Sequence, residues 1–167
     1  MYRILCDSYL FYDPRLPELF VFEPELTQKK NEPGELTFKI PKEHPHYGVL
    51  EKLKCHIKVY RDDTLIWVGR AIEDERDLYE NRKVVAEGVL AFLLDSILRP
   101  FTMDGTAAEI WDYILTQHNG QVNVNQRFVL GNSDLSGSVS IAIKDYLSAW
   151  QVLKTSLLDP LGGYLIV

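Results

Sequence analysis

The chain has 167 residues, 46% of them hydrophobic and 25% charged, a composition that argues against disorder and suits one medium domain or two small ones. Its formal charge of −6 argues against a surface that grips nucleic acid, because such affinity comes chiefly from clustered Lys and Arg. No apolar run approaches the roughly 20 residues of a membrane-spanning helix, and the opening MYRILCDSYLFYDP lacks the basic flank, apolar stretch and small-residue site of a signal peptide. That opening reads as a strand beginning at residue 2.

The first hundred residues read as strands joined by tight turns. Leu36, Phe38 and Ile40 alternate with polar neighbours as a half-buried strand should. Pro33-Gly34 before them is a turn signal and couples this strand to the segment 19–30 as a hairpin. Pro24 makes that segment an edge strand or bulges it. After Pro41, the stretch KEHPHYGVLEKLK is expected to hold one or two helical turns ending near Leu53. Cys55, Ile57 and Val59 then alternate with His56, Lys58 and Tyr60, Asp62-Asp63 turns the chain, and Leu65–Val68 returns it. A further strand runs from about Gly69 into the acidic run Glu73-Asp74-Glu75-Arg76-Asp77, Glu80-Asn81 turns, and the next strand spans 82–94. Its end, VLAFLLDSIL, is apolar on both faces and must be buried on both or become a short helix.

The pattern changes near Thr102. Thr106 and Glu109 have capping-box spacing, and Ala107, Ile110, Trp111, Ile114 and Leu115 recur on one helical face up to Asn119-Gly120. Two short strands are expected around 128–130 and 138–143. Ser148 and Gln151 open a second helix as a capping box, with Leu147 and Val152 as a hydrophobic staple. Pro160 and Gly162-Gly163 are expected to stop it before a strand beginning at Tyr164. The expected fold is α+β: an antiparallel β-barrel-like domain over 1–99, followed by a small α/β lobe with two helices over 100–167.

No constellation of catalytic residues emerges. There is no phosphate-binding Gly-rich loop, and Gly131-Asn132-Ser133-Asp134-Leu135 begins like a nucleophile elbow but lacks the closing Gly. His44 and His46 flank Pro45 on a loop without cysteines and read as solvated rather than metal-bound. His56 is expected to face solvent, and His118 to serve the C-terminal end of its helix dipole. Cys6 and Cys55 form no CxxC pair, match neither a zinc site nor a disulfide framework, and read as two reduced, buried thiols in a protein folded in a cytoplasm. Trp67, Trp111 and Trp150 lie in apolar-periodic segments and read as core or interface residues. Glu73, Asp74, Glu75 and Asp77 are the most distinctive charged feature. They lack the spacing of a calcium loop and an opposing carboxylate for hydrolysis. They read as a solvated strand end, with an acidic rim or channel lining as the second possibility. No cofactor, metal or catalytic residue is expected.

The segments YRILCDSYLFYDP, PGELTFKIPKEHPHY, LKCHIKVYRDDTLIWVGRAIEDERD, KVVAEGVLAFLLDSILRPF, GTAAEIWDYIL and AWQVLKTSLLDPLGGYLIV follow one another along essentially the whole chain. In that order they resemble the N-terminal region of phage and prophage minor tail structural proteins, the tail-associated lysin or prophage tail endopeptidase family, related in architecture to baseplate hubs. The resemblance implies a trimer in which each subunit supplies two related barrels, giving a pseudo-sixfold ring matched to a sixfold tail tube. It also implies return strands, a second barrel and a lytic domain beyond Val167, so the 100–167 lobe is expected to be truncated and this segment to be non-enzymatic. The implied partners are further copies of the chain, the distal tail protein or tail tube, and the tape measure protein. DNA would pass an acidic lining without specific binding, and this segment would not insert into a membrane. The implied location is the virion tail tip, after folding in the host cytoplasm. Two readings compete with a structural hub. A host-surface or carbohydrate-binding module would gather Trp67 or several tyrosines on a concave face. A fragment of a cell-wall hydrolase would converge His44, His46 or Ser133.

Overall fold

The computed structural model describes residues 1–132 and 137–165. The chain forms two compact units, Met1–Val89 and Leu90–Val167.

The first unit is a single antiparallel sheet of seven strands: β1 (Tyr2–Cys6), β2 (Tyr9–Tyr12), β3 (Phe22–Thr27), β4 (Glu35–Ile40), β5 (His56–Arg61), β6 (Thr64–Arg76) and β7 (Arg82–Gly88). Their order across the sheet is β2-β1-β5-β6-β7-β4-β3, and every neighbouring pair is antiparallel. The sheet curls into a half-barrel. A bulge contributes where β6 pairs with β7, the register shifting between Ala71 and Glu73; an extra residue there bends the strand and increases its twist. Leu36, Phe38 and Ile40 of β4, Ile57 and Val59 of β5, and Val84 and Ala86 of β7 point inward with Ile4 and Phe11 to form one buried core. The alternation that marks β4 and β5 in the sequence is therefore the alternation of the sheet itself. β3 is an edge strand with a register shift between Phe22 and Glu25, around Pro24. Pro cannot donate to a ladder, which confines it to such a place.

Trp67 is the largest side chain of this core and is 6% exposed. Its indole lies against glycines: a Cβ at Gly69 would fall 2.3 Å from the ring, and one at Gly88 would fall 2.9 Å from Nε1 and 1.8 Å from the Pro33 carbonyl oxygen. The ring can occupy that place only because both positions lack a side chain.

Two expectations for this half are corrected, and an alternative left open by the sequence is decided. The 41–54 stretch contains no helix; it is a chain of single turns, with bonds from His44 N–H to Pro41, Tyr47 to His44 and Val49 to His46. Leu53 sits at φ 62°, outside helical geometry. The acidic stretch is not a separate strand but the end of one thirteen-residue strand, β6. The run after β7 becomes a 3-10 helix, Val89–Leu94, the second of the two outcomes open to a segment apolar on both faces. Leu90 and Leu93 of that helix pack in the core of the second unit. The division between units therefore falls ten residues before the boundary at 99 expected from the sequence.

The second unit is α+β. β9 (Phe101–Thr106) pairs with β10 (Ser138–Ile143), and β8 (Ile97–Leu98) with β11 (Leu147–Ser148). Helix α1 (Ala107–Asn119) starts with a complete Thr106/Glu109 capping box, and α2 (Ala149–Leu153) with a complete Ser148/Gln151 box. Each box satisfies two amide groups that the first turn leaves without partners. Ile110, Ile114, Ala149, Val152, Leu153 and Leu157 close the core.

Here too the structure corrects the sequence reading. Residues 128–130 form no strand, and β10 pairs instead with β9, whose polar sequence FTMDGT hid it. Pro160 does not stop the second helix. The chain passes through a π-helical stretch, Lys154–Leu158, and a last turn, α3 (Asp159–Leu161), ending at Gly162 with φ 67°. The π turn widens the backbone just where a proline ring would crowd the carbonyl four residues back. Tyr164 and Leu165 are not in a strand, and Ile166 and Val167 lie outside the described residues.

Candidate functional site

The β6–β7 hairpin carries all four acids singled out in the sequence, and the structure gives them different roles. Asp74 accepts two bonds from Arg82, at 2.9 Å from Nε and 2.5 Å from Nη2. The Arg82 side chain is 5% exposed and that of Asp74 25%. Arg82 also donates to the Leu50 carbonyl at 2.8 Å and to that of Tyr47. The guanidinium holds the Asp74 carboxyl below the usual carboxylate range. Asp77 organises the turn: Oδ1 accepts the amides of Tyr79 at 2.8 Å and Asn81 at 2.9 Å, and Oδ2 accepts Asn81 Nδ2 at 2.9 Å. The bond from the Asn81 side chain is the main cause of its lowered pKa. Glu73 and Glu75 are the members of the run left on the solvent face, with Glu75 opposite Lys83.

The hairpin is also braced from outside. The Tyr47 hydroxyl donates to the Glu80 carbonyl at 2.5 Å, Lys42 forms an ion pair with Glu80, and Arg76 and Arg82 lie over the Tyr47 ring at 5.9 and 5.4 Å. The 41–54 turns therefore anchor the arm. At its tip stand Leu78 and Tyr79, 100% and 81% exposed. An apolar pair held on an ordered turn loses little conformational entropy when a partner covers it. The arrangement can present negative charge along an arm and an apolar contact at its end.

A second surface lies at the open side of the half-barrel. Tyr2, Ile4, Tyr12, Pro24, Leu26 and Arg61 are among the residues lining a cleft of about 510 Å³ between β2 and β3, the two edges of the sheet.

His46 is half-buried, its ring 5.9 Å from that of Phe11. His44 is buried, not solvated. Its Nδ1 accepts the His46 amide at 3.1 Å, so Nε2 carries the proton and donates to the Phe11 carbonyl at 2.8 Å. Both ring nitrogens are committed to backbone, and burial lowers its pKa. His56 is half-buried, with Nδ1 3.9 Å from Asp7 Oδ1. His118 is fully buried: Nε2–H donates to the Gln126 carbonyl at 3.1 Å, and Nδ1 accepts the Ser96 hydroxyl at 2.7 Å. Burial lowers its pKa as well. It is a neutral tie between the helix and the following loop, not the partial positive charge expected at a helix end. A Ser–His pair at this distance has the geometry of an activated nucleophile, but Ser96 and His118 are 1% and 0% exposed, leaving no approach for a substrate. Ser133 lies outside the described residues.

One cluster was not visible in the sequence. Cys6, at the end of β1, and Cys55, just before β5, are both buried and free. One ligand atom from each of Cys6, Cys55 and Asp7 lies within 4.8 Å of the others. Cys6 stands opposite Ile57 in the β1–β5 register, so Cys55 is its diagonal neighbour on the same face. Only the pairing of strands about 50 residues apart could have revealed this. Burial, with the bond and charge of Cys55 adding to it, pushes the Cys6 thiol well up.

Compared with protein-family models and with curated proteins, the chain matches none of either. No helix among the described residues is long and apolar enough to cross a membrane.

Proposed function

We propose that the chain is a structural component of a phage or prophage tail tip or baseplate hub, joining the tail tube to the tip and lining the DNA path. The observation that carries the reading is the curled antiparallel seven-stranded half-barrel with a separate α+β unit after it, a two-part arrangement like the one the segment resemblance implies. The braced hairpin supports it further. Glu73 and Glu75 carry negative charge in water, Glu75 across from Lys83, on a chain whose net charge of −6 offers DNA little counterion release, and Leu78 and Tyr79 offer a contact to a ring neighbour. The segment acts without catalysis, through symmetry-matched assembly with further copies, a distal tail or tube protein and the tape measure protein.

The test is immunogold labelling of virions from the strain encoding the chain, with light scattering on the full product of its gene. Label at the tail tip and a trimeric mass are expected. Purified virions without label, or a monodisperse monomer, would overturn the proposal.

A host-surface or carbohydrate-binding module has one observation in its favour: Tyr2, Tyr12, Arg61 and Gln28 share the open cleft, and tyrosine faces with polar neighbours suit a sugar. Trp67, the other aromatic such a site would call on, is in the core. Saturable glycan binding lost in Tyr12→Ala would favour this module over the hub.

A further inference from the structure

We propose that Cys6, Cys55 and Asp7 form a binding site for a single thiophilic divalent cation of the Zn²⁺ class. The site lies in the first unit, away from the acidic hairpin tip, and does not depend on the tail reading.

The ligand set is selective. Two sulfurs and one carboxylate converge with their atoms mutually within 4.8 Å. Tetrahedral ligands at Zn–S of about 2.3 Å and Zn–O of about 2.0 Å stand roughly 3.5–3.8 Å from one another, so binding asks for a contraction of at most about an ångström. A disulfide would ask for much more, since its sulfurs must meet at about 2.05 Å. Thiolates favour Zn²⁺ and Cd²⁺ over Mg²⁺ and Ca²⁺, which take oxygen.

The surroundings hold those ligands in place. The Glu51 amide donates to Cys55 Sγ at 3.1 Å while the Cys55 amide bonds back to the Glu51 carbonyl at 3.2 Å. That turn wraps the sulfur and offers an N–H to a thiolate. At Cys6 burial and the neighbouring Cys55 and Asp7 hold the thiol protonated and the Arg82 charge only partly offsets them, so the thiolate forms as the ion binds. Asp7 is held by the His56 amide, which donates to Oδ1 at 3.0 Å, and by its own amide, which donates to the His56 carbonyl at 2.8 Å. Asp7 is exposed while both sulfurs are buried, so the carboxylate marks the side from which an ion and a fourth, water ligand enter.

Binding is written as two thiols and one carboxylate taking up M²⁺ to give the bis-thiolate complex with release of two protons. No oxidant is involved, and affinity rises with pH.

The experiment titrates the fully reduced chain with Cd²⁺ and reads the sulfur-to-cadmium charge-transfer band and the protons released. One ion per chain and two protons per ion are expected. Cys6→Ala and Cys55→Ala abolish the band, and Asp7→Asn weakens binding by at least about tenfold. Because core cysteine variants can misfold, Zn²⁺ protection of the native thiols from alkylation, mapped by mass spectrometry, is the second readout, with both cysteines protected together. A folded, reduced chain without a band overturns the proposal, as does a band that survives loss of either cysteine. An unchanged affinity in Asp7→Asn removes the carboxylate and overturns the three-ligand site.

Discussion

Asp74→Asn separates the structural member of the acidic run from the surface members. In the native hairpin Asp74 accepts two bonds from a buried guanidinium, and a bond to a charged partner contributes about 1.5–3 kcal/mol, against about 1 for a neutral one. Asparagine keeps one oxygen, so one bond survives as an ordinary one and the other is replaced by an amide facing the cation. The one-quarter exposure of the Asp74 side chain lets water soften the loss, which places it near 2 kcal/mol, below the roughly 3–5 found when a fully buried pair is broken. For a unit of this size that lowers the melting temperature by about 8–16 °C. Arg82→Met costs more, about 3–4 kcal/mol, because it also strands the Leu50 and Tyr47 carbonyls. Glu73→Gln and Glu75→Gln stay within about 0.5 kcal/mol. The sign with pH follows from the lowered folded pKa of Asp74: its contribution is complete above the ordinary carboxylate value of about 3.8 and is lost as pH falls through the folded one. The gap between wild type and Asp74→Asn therefore closes below about pH 4. Scanning calorimetry at stepped pH, with hydrogen exchange on the β6–β7 amides to assign the transition, measures all of this. If Asp74→Asn melts with wild type while the glutamine variants do not, the division of the run into brace and surface is refuted.

Gly88→Ala drives a methyl to 1.8 Å from the Pro33 carbonyl oxygen and is expected to cost about 3 kcal/mol by overpacking, whereas Gly48→Ala, with nothing within 4 Å, is nearly neutral in the same urea titration. Thr106→Ala removes the capping oxygen of α1 and lowers stability by about 1 kcal/mol, while Thr106→Ser leaves the unfolding midpoint in place. His44 and His118 have folded pKa values below the ordinary 6.5, so the stability from keeping them neutral is complete above about pH 6.5 and declines as pH falls below it. Their imidazole NMR signals should titrate below that value, and a titration above it in either ring would contradict the burial argument.

Much of the fold is legible wherever one face is buried and the other is not. β4, β5 and the start of β6 announce themselves by alternation, and both capping boxes fix the residue at which their helices start. What stayed hidden is whatever depends on partners distant in sequence. β9 is a strand only because β10 lies beside it. His44 and His118 look like loop and helix-end residues until the carbonyls of Phe11 and Gln126 claim their ring nitrogens. Cys6 and Cys55 look unrelated until β1 pairs with β5. The acid run is legible as a strand end, yet its division of labour depends on Arg82, eight residues beyond Asp74 and across the hairpin.

That division bears on what the arm is for. A hairpin needing only to reverse the chain could do so with the Asp77 turn alone. Instead the chain buries a guanidinium beneath the arm, ties Glu80 to Tyr47 and Lys42, and leaves Glu73 and Glu75 in water. Burying an ion pair is seldom the most stabilising use of space, since apolar replacements of similar volume often do as well or better. What it supplies here is a fixed direction for the arm, because four bonds from one planar group admit a single geometry. A fixed direction matters when the tip must meet a surface at a set distance, as neighbouring subunits of a ring require, and matters little for a hairpin with no partner. Under the proposed hub reading, such an arm suits a contact at Leu78 and Tyr79, with Glu73 and Glu75 on its flank.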